Sequence, residues 1–578
     1  MGSIDSPQSR PKRVLMFTNS EHGQANVYLA TGYALVTLPD EDVEVHFASF
    51  DPIQKFVTTT TEHAQDEYQK SHPQPQHPFR PIIFHKLAGI SMVAAWETPE
   101  VLNEQASLNY LEANQKWWTM RSQVASIMRR MHLLLRVILP WSGPEFVEIF
   151  WSAIDIVHNV QPDIVAVDPA FAPALTALRH IDAKFVVLAP NTIKDFAMPL
   201  QPNGEALWKY PVTGKPYAYP VPGHQIVNNV FLILLAIIIS FFFDHRRKAI
   251  QDYVRLHADG AKLTTLNDLS LTPHLISRNL KFLVANTKEI EFPLRLIPGH
   301  IIPCGPMIRP AKAIGEVDPD LDSWLRGAAK TEEVGRREQV GTVYVNLGTH
   351  MRFDEASAVE LARGLRILLD HADAMADSVE GKLNGNGDIQ PGWEMGPESR
   401  IYEILGKEMD EDRVRIVDWI EAEPTAVLDS GGVVCVVHHG GANSFLETCC
   451  AGIPQVVLPA WMDTFDFARR AEILNIGRWG NQIAVGRICE GTELGSILVD
   501  VLLGPRSSLY AEKARKIAEI CREGGGGRVK AARHILAEIA AEEEMHQNDT
   551  EGQVEDMNVD EKEPLLIEHT NGRTNGQC

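Results

Sequence analysis

The chain has 578 residues, 44% of them hydrophobic and 22% charged, enough apolar material to bury two sizeable cores in an ordinary globular protein. Its formal net charge of −22 argues against a nucleic-acid partner, whose phosphates would be repelled. Much of that charge is local: residues 541–578 carry 11 Asp or Glu against 2 Lys or Arg, the signature of a solvated acidic tail.

In chain order, residues 1–11 read as a disordered leader. Met1-Gly2-Ser3-Ile4-Asp5-Ser6 formally fits an N-myristoylation pattern, weakened by Asp5 and Pro7, and one acyl chain would anchor only marginally. No apolar secretory leader opens the chain. Arg13-Val14-Leu15-Met16-Phe17-Thr18 predicts a first parallel strand, Asn19-Ser20-Glu21-His22-Gly23-Gln24 the loop at its carboxyl end, and Tyr28, Leu29 and Tyr33 the helix beyond. That loop is not a G-x-G-x-x-G turn, which sets aside an NAD-dependent oxidoreductase. Asp163-Ile164-Val165-Ala166-Val167-Asp168 predicts a second buried strand, followed by Pro169 and a helix through Leu175 and Leu178. His22 and Asp168 would then emerge at one edge of one sheet. An aspartate on the far nitrogen of a histidine fixes its tautomer and stabilises the imidazolium that forms when it takes a proton.

Val230 to Phe243 is apolar except for Ser240 and is followed by Asp244-His245-Arg246-Arg247-Lys248. As a helix it would be about 21 Å long, short of the roughly 30 Å hydrocarbon core. It reads as a helix lining an apolar acceptor pocket or dipping into a membrane surface, rather than as a span. Phe282-Leu283-Val284-Ala285-Asn286-Thr287, continuing to Ile302 and Gly305-Pro306, closes the first unit. Thr342-Val343-Tyr344-Val345-Asn346-Leu347 opens the next, with Gly348-Thr349 at its end and a helix whose apolar stripe is Ala358, Leu361, Ala362, Leu365, Leu368 and Leu369.

The densest signal comes later. Gly432-Val433-Val434-Cys435-Val436-Val437 has the texture of a buried parallel strand and stops at His438-His439-Gly440-Gly441. Asn443 and Ser444 open a helix with an apolar face of Phe445, Leu446 and Cys449, and Gly452-Ile453-Pro454 ends it before the strand Gln455-Val456-Val457-Leu458. This is a βαβ unit. At its turn, free N–H groups and the helix dipole favour phosphate, and His439, Asn443 and Ser444 can add side-chain donors. Glu447, one turn on, can accept from ribose hydroxyls, and Asp463 sits where a sugar on the diphosphate would present its own. His438 reads as packed beside the loop. Seven cysteines, at 304, 435, 449, 450, 489, 521 and 578, show neither paired nor zinc-site spacing, which fits a reduced, cytoplasmic setting.

At these residues the chain resembles the inverting UDP-sugar-dependent glycosyltransferases of family 1, their fungal branch most closely. His439, Asn443, Ser444, Glu447 and Asp463 match the family's donor box in type and spacing, and Trp419 matches the tryptophan that opens it and stacks on uracil. Two departures stand out. The Trp419-to-His439 interval is two residues longer than in plant members, leaving the uracil-side glutamine unassigned around Glu421-Ala422-Glu423-Pro424. Thr464 replaces the glutamine that follows the aspartate and helps hold the sugar hydroxyls.

The resemblance, over about residues 12 to 540, implies an α/β protein of GT-B architecture, two facing Rossmann-like doubly wound domains with the active site between them. Residues 12–308 would bind the acceptor and 309–505 the UDP-sugar. Residues 506–543 would be helices packing back across the domains, through Ala514-Ile517-Ile520 and Val529-Ile535-Leu536 with flexible Gly524-Gly525-Gly526-Gly527 between, and 544–578 the acidic tail. It implies a His22–Asp168 catalytic dyad, and a donor site of Thr349 near the β-phosphate, Trp419, His439, Gly441, Asn443, Ser444, Glu447, Asp463 and Thr464. No metal and no cofactor beyond the UDP-sugar co-substrate are implied. The expected activity is transfer of a hexose, glucose first, to a small lipophilic hydroxyl acceptor such as a secondary metabolite, by a cytoplasmic monomer. A sterol or lipid acceptor at a membrane surface is the second expectation, and a non-catalytic UDP-sugar-binding partner protein the third.

Overall fold

The computed structural model describes residues 10–96, 136–213, 215, 217–242, 244–276, 279–329, 341–348, 351–374, 385–386, 388–389, 399–417, 419–460, 463–484 and 488–541. The expected acidic tail and Thr349 lie outside them, as does the leader apart from residues 10 and 11. Among the described residues, seven parallel strands build the first sheet: β1 (Lys12–Phe17), β2 (Val43–Ser49), β3 (Ile83–Lys86), β4 (Ile164–Val167), β5 (Phe185–Ala189), β6 (Phe282–Val284) and β7 (Ile301–Pro303), in the order β3-β2-β1-β4-β5-β6-β7.

Side chains alternate across the sheet, so β1 feeds two cores. Leu15 and Phe17 pack with Phe146, Ile149 and Phe150 of α3 (Gly143–Val160) and with Leu175 and Leu178 of α4 (Ala172–His180). On the opposite face Val14 and Met16 meet Tyr28 and Leu29 of α1 (His22–Thr37), with α2 (Asp51–Ser71) adding Ile53 and Val57. Ala531, Ile535, Leu536 and Ile539, on a helix over residues 526–541, join that same core. The end of the described chain therefore returns to the first sheet.

The second sheet contains β8 (Thr342–Asn346), β10 (Gly385–Asn386), β12 (Val433–His438), β13 (Gln455–Val457) and β14 (Gly477–Trp479), ordered β10-β8-β12-β13-β14, while β9 (Arg352–Phe353) pairs with β11 (Asp388–Ile389). Val437 pairs with Val345 on one side and Val456 on the other. Strands buried between two helical layers need no polar face, which is why the run from Val433 to Val437 lacks the alternation of a half-exposed strand.

Two local expectations change. The glycine run is a close-packed crossing: a Cβ on Gly527 would lie 2.0 Å from the Gly305 oxygen, and the Gly527 N–H donates to the Pro306 carbonyl at 3.1 Å. The apolar segment begins earlier than Val230, in α5 (Gly223–Phe242). Asn229, fully buried, makes that extension possible, because its amide donates to the Leu207 and Tyr210 carbonyls and accepts from the Val212 N–H. Val227, Phe231, Leu234, Ile237 and Ile238 of α5 stay exposed. No helix among the described residues is long and apolar enough to cross a membrane.

Candidate active site

Each sheet has one point where the strand order reverses, between β1 and β4 in the first and between β8 and β12 in the second. Crossovers leave such a point uncovered, so a crevice opens at the carboxyl ends of the flanking strands. The loops there carry His22, Asp168, Gly348 and His439.

His22 is the first residue of α1, whose N-terminus is capped by the Glu21 carboxylate accepting from the Gln24 N–H at 2.7 Å. Its ring packs on Phe56 of α2, centroids 4.5 Å apart. Nδ1 lies 3.4 Å from the Asn26 amide nitrogen, and Nε2 is buried without a hydrogen-bond partner. Burial, then the Arg309 guanidinium, lower its pKa from the usual imidazole value, against the raising influence of Glu21 and Glu423.

Asp168 does not pair with His22, contrary to the expected dyad. Its Oδ2 accepts from Thr18 Oγ1 at 3.1 Å and Asn19 Nδ2 at 2.9 Å, and its Oδ1 from the Ala170 N–H at 2.8 Å. Sheet register explains this. The Asp168 N–H donates to the Phe17 carbonyl, so the carboxylate meets the residues that directly follow Phe17, while His22 lies further along the chain at the start of α1. Complete burial pushes the Asp168 pKa up to about 7, despite the opposing hydrogen bonds.

In the second domain, α6 (Ala442–Ala451) starts at Gly441 with no side chain capping it. Its first N–H groups are thus left for a ligand. The two histidines before it divide the work. His438 is fully buried, accepting from the Gly440 N–H on Nδ1 at 3.0 Å and donating from Nε2 to Gln455 Oε1 at 2.7 Å. Burial drops its pKa to about 4, so it stays neutral. The His439 ring is held between glycines: a Cβ on Gly348, whose φ is +73°, would lie 2.6 Å from its Cε1, and one on Gly441 2.4 Å from its Nε2.

Asn443, at the second position of α6, reaches into the first domain, Nδ2 donating to the Gly23 carbonyl at 3.3 Å. The donor-box turn and the His22 loop are therefore neighbours. Ser444 lies beside Asn443 and Glu447 one turn on, half-buried. Burial and the Glu423 charge push the Glu447 pKa up to about 7, with Arg309 opposing. Asp463 precedes α7 (Thr464–Ile473) without capping it and is open to solvent. The protein mass around it and the carboxylates of Asp195 and Asp466 push its pKa up to about 7. Trp419 is 62% exposed, a free ring face.

Thr464 departs from expectation. It is fully buried, and its hydroxyl accepts from the Ala460 N–H at 3.2 Å. The short side chain closes the turn before Asp463 instead of facing the cleft as a glutamine could.

Sequence reading overlooked the charged contacts between the domains. Arg309, just past Gly305-Pro306, pairs with Glu423 and stands over the Phe56 ring. Lys194 pairs with Asp466, and Arg470 with Glu291 at 2.6 Å, these last two each 1% exposed. The one sequence signal was charge interleaved with apolar residues on a single helix, at Asp466, Arg469, Arg470 and Glu472.

No family model matches the chain. A glycosyltransferase of Sordaria araneosa, sdnJ, is 31% identical over 545 residues, spanning 90% of this chain and 96% of that protein. The chain belongs to the UDP-sugar-dependent glycosyltransferases of GT-B fold. UDP-glycosyltransferase 75B2 of Arabidopsis thaliana is 27% identical over 244 residues, 41% of this chain and 50% of that one. A UDP-glucosyltransferase from Polygonum tinctorium, described as capable of glucosylating indoxyl, superposes with a TM-score of 0.56 at 14% identity, covering 92% of this chain and 99% of that one. Its likeness shows the fold. In this glycosyltransferase the Asn443–Gly23 contact brings the loops at the two reversal points together.

Proposed function

We propose that the protein moves glucose from UDP-glucose to a hydroxyl of a small lipophilic acceptor, a secondary metabolite first, with inversion at the anomeric carbon. The Asn443 contact with Gly23 carries the reading, because it sets an uncapped helix N-terminus suited to a diphosphate beside the histidine suited to an acceptor hydroxyl. The acceptor oxygen bonds to the anomeric carbon as the bond to UDP breaks, the electron pair leaves on UDP, and His22 takes the hydroxyl proton. Charge growing on the diphosphate is met by the α6 N–H groups, His439, Asn443, Ser444 and Thr349. Trp419 stacks on uracil, Glu447 holds the ribose and Asp463 the sugar. Asp168 acts at one remove, bracing the Thr18-Asn19 segment that leads to His22.

A sterol or other lipid acceptor is the second reading, favoured by the exposed stripe of Val227, Phe231, Leu234 and Ile238 on α5. Incubation with UDP-glucose and UDP-galactose, each against phenols and sterols, with UDP release and product mass followed, separates these readings. Faster transfer from UDP-galactose overturns the donor. UDP-sugar binding without transfer, or turnover unchanged in His22→Gln, overturns the mechanism in favour of a non-catalytic partner or a different base.

A further inference from the structure

We infer that two buried ion pairs, Lys194–Asp466 and Arg470–Glu291, position Asp463 for the donor sugar by fixing α7 against the first domain. This rests on the proposed role of Asp463, and it makes the first domain a partner in holding the sugar but not the UDP.

Lys194, on the short helix Ile193–Ala197, and Glu291, just past the turn Lys288–Ile290, belong to the first domain, and Asp466 and Arg470 to α7. All four are buried. The Lys194 ammonium donates to Asp466, and Arg470 Nη2 lies 2.6 Å from Glu291 Oε1. The two pairs form one cluster. The Lys194 N–H donates to Glu291 Oε2 at 3.0 Å, Asn286 Nδ2 to the same oxygen at 3.2 Å, and the Phe292 N–H to Oε1 at 2.8 Å. The Phe292 ring meets one cation from each domain, Lys194 Nζ at 5.2 Å and the Arg470 guanidinium at 5.0 Å from its centroid.

Asp463, Asp466 and Arg470 are spaced by three and then four residues, so they share one face of the helix. The backbone is already helical at Asp463 (φ −68°, ψ −24°), whose carbonyl accepts from the Asp466 N–H at 2.9 Å. The sugar-holding carboxylate is thus rigidly joined to the ion pair one turn on. The charge of Asp195, next to Lys194, raises the Asp463 pKa, which sets Asp463 at the same seam. Buried ion pairs add little stability, because desolvation offsets the attraction and apolar residues of like volume often serve as well. Their worth here is register: any other setting of α7 leaves charges unpaired in a dry seam, which is strongly unfavourable. Bonds to sugar hydroxyls need that setting, since a displacement of about 1 Å is enough to lose them. In the proposed site the nucleotide rests on Trp419, Glu447 and the start of α6, which are other elements.

The test is calorimetry of UDP and UDP-glucose on the full chain at about pH 8, above the Asp463 pKa of about 7, so that Asp463 stays ionised. Lys194→Met with Asp466→Leu removes one pair without stranding a buried charge, so the fold should survive. We expect its UDP-glucose dissociation constant to rise about tenfold while that for UDP stays in place, the same split as in Asp463→Asn. Arg470→Met with Glu291→Gln should act in the same direction. UDP and UDP-glucose weakened equally, or neither weakened, overturns the inference and leaves the pairs a purely structural role. Hydrogen exchange gives a readout without ligand: amides of residues 464–473 should lose protection about tenfold in the first double variant, and unchanged protection overturns the inference. A native chain that binds no UDP-glucose, or an Asp463→Asn variant that binds it unchanged, removes the donor reading at Asp463. The exchange result then decides alone, upholding the inference where 464–473 opens and overturning it where it does not.

Discussion

The first domain supports its histidine with a buried acid and the second with a buried histidine. Asp168, at the end of β4, braces Thr18 and Asn19 ahead of His22, whereas His438, at the end of β12, braces Gly440 just after His439. In both lobes a fully buried titratable group orders the loop, and a neighbouring residue faces the cleft. The difference lies in charge. Burial drives His438 toward its neutral form, which its two hydrogen bonds satisfy completely, while Asp168 is pushed toward protonation against hydrogen bonds that favour the carboxylate. The donor turn thus rests on a group that stays neutral and the acceptor loop on one pushed up to about 7, while Glu447 and Asp463, pushed as high, make the donor lobe's sugar side respond to pH as well.

Four substitutions would break or sharpen this contrast. His22→Gln should cost about 10²–10⁴ in kcat with UDP-sugar affinity unchanged, measured by steady-state kinetics and calorimetry, since the donor lobe is untouched. Next is Asp168→Asn. The aspartate's pKa rises from 3.8 to about 7 on folding, so its contribution to stability is full below about pH 4 and is lost as pH rises through 7. The non-titrating variant should flatten that limb, by up to about 1.4 kcal/mol per pH unit, in denaturation curves taken from pH 4 to 8.

Gly441→Ala would place a Cβ 2.4 Å from His439 Nε2, and the displaced ring should weaken UDP binding by about 1–3 kcal/mol while leaving the His22 pH profile in place. Trp419→Ala should show the smallest effect. With the ring 62% exposed, stability should move by no more than about 0.5 kcal/mol. Loss of one stacked base should weaken UDP affinity about tenfold. A large loss of stability would show that Trp419 is structural.

The donor box was legible because its logic is local: strand, turn and helix are consecutive, and Gly440 and Gly441 sit where a Cβ would strike Thr464, Val457 or His439. Reading His438 as packing followed from its place on the strand, and its bond to Gln455 bears that out. The His22–Asp168 dyad was drawn from two motifs at one sheet edge, yet register decides which side chains meet, and β4 delivers the carboxylate to Thr18 and Asn19. The full burial of Thr464 was not legible, because a sequence position does not say which way a helix's first side chain turns.

What the sequence by itself determined was the parallel strands that lead into the two sites (β1, β4, β8, β12 and β13), the glycine turn and the residue types that can hold a nucleotide sugar, because periodicity and turn chemistry act over a few residues. The tertiary structure alone decided which groups touch. The Asn443–Gly23 bond spans 420 residues, Lys194–Asp466 spans 272, and Thr18–Asp168 spans 150. Such pairings depend on strand register and domain packing, which emerge only when the whole chain buries its apolar faces together.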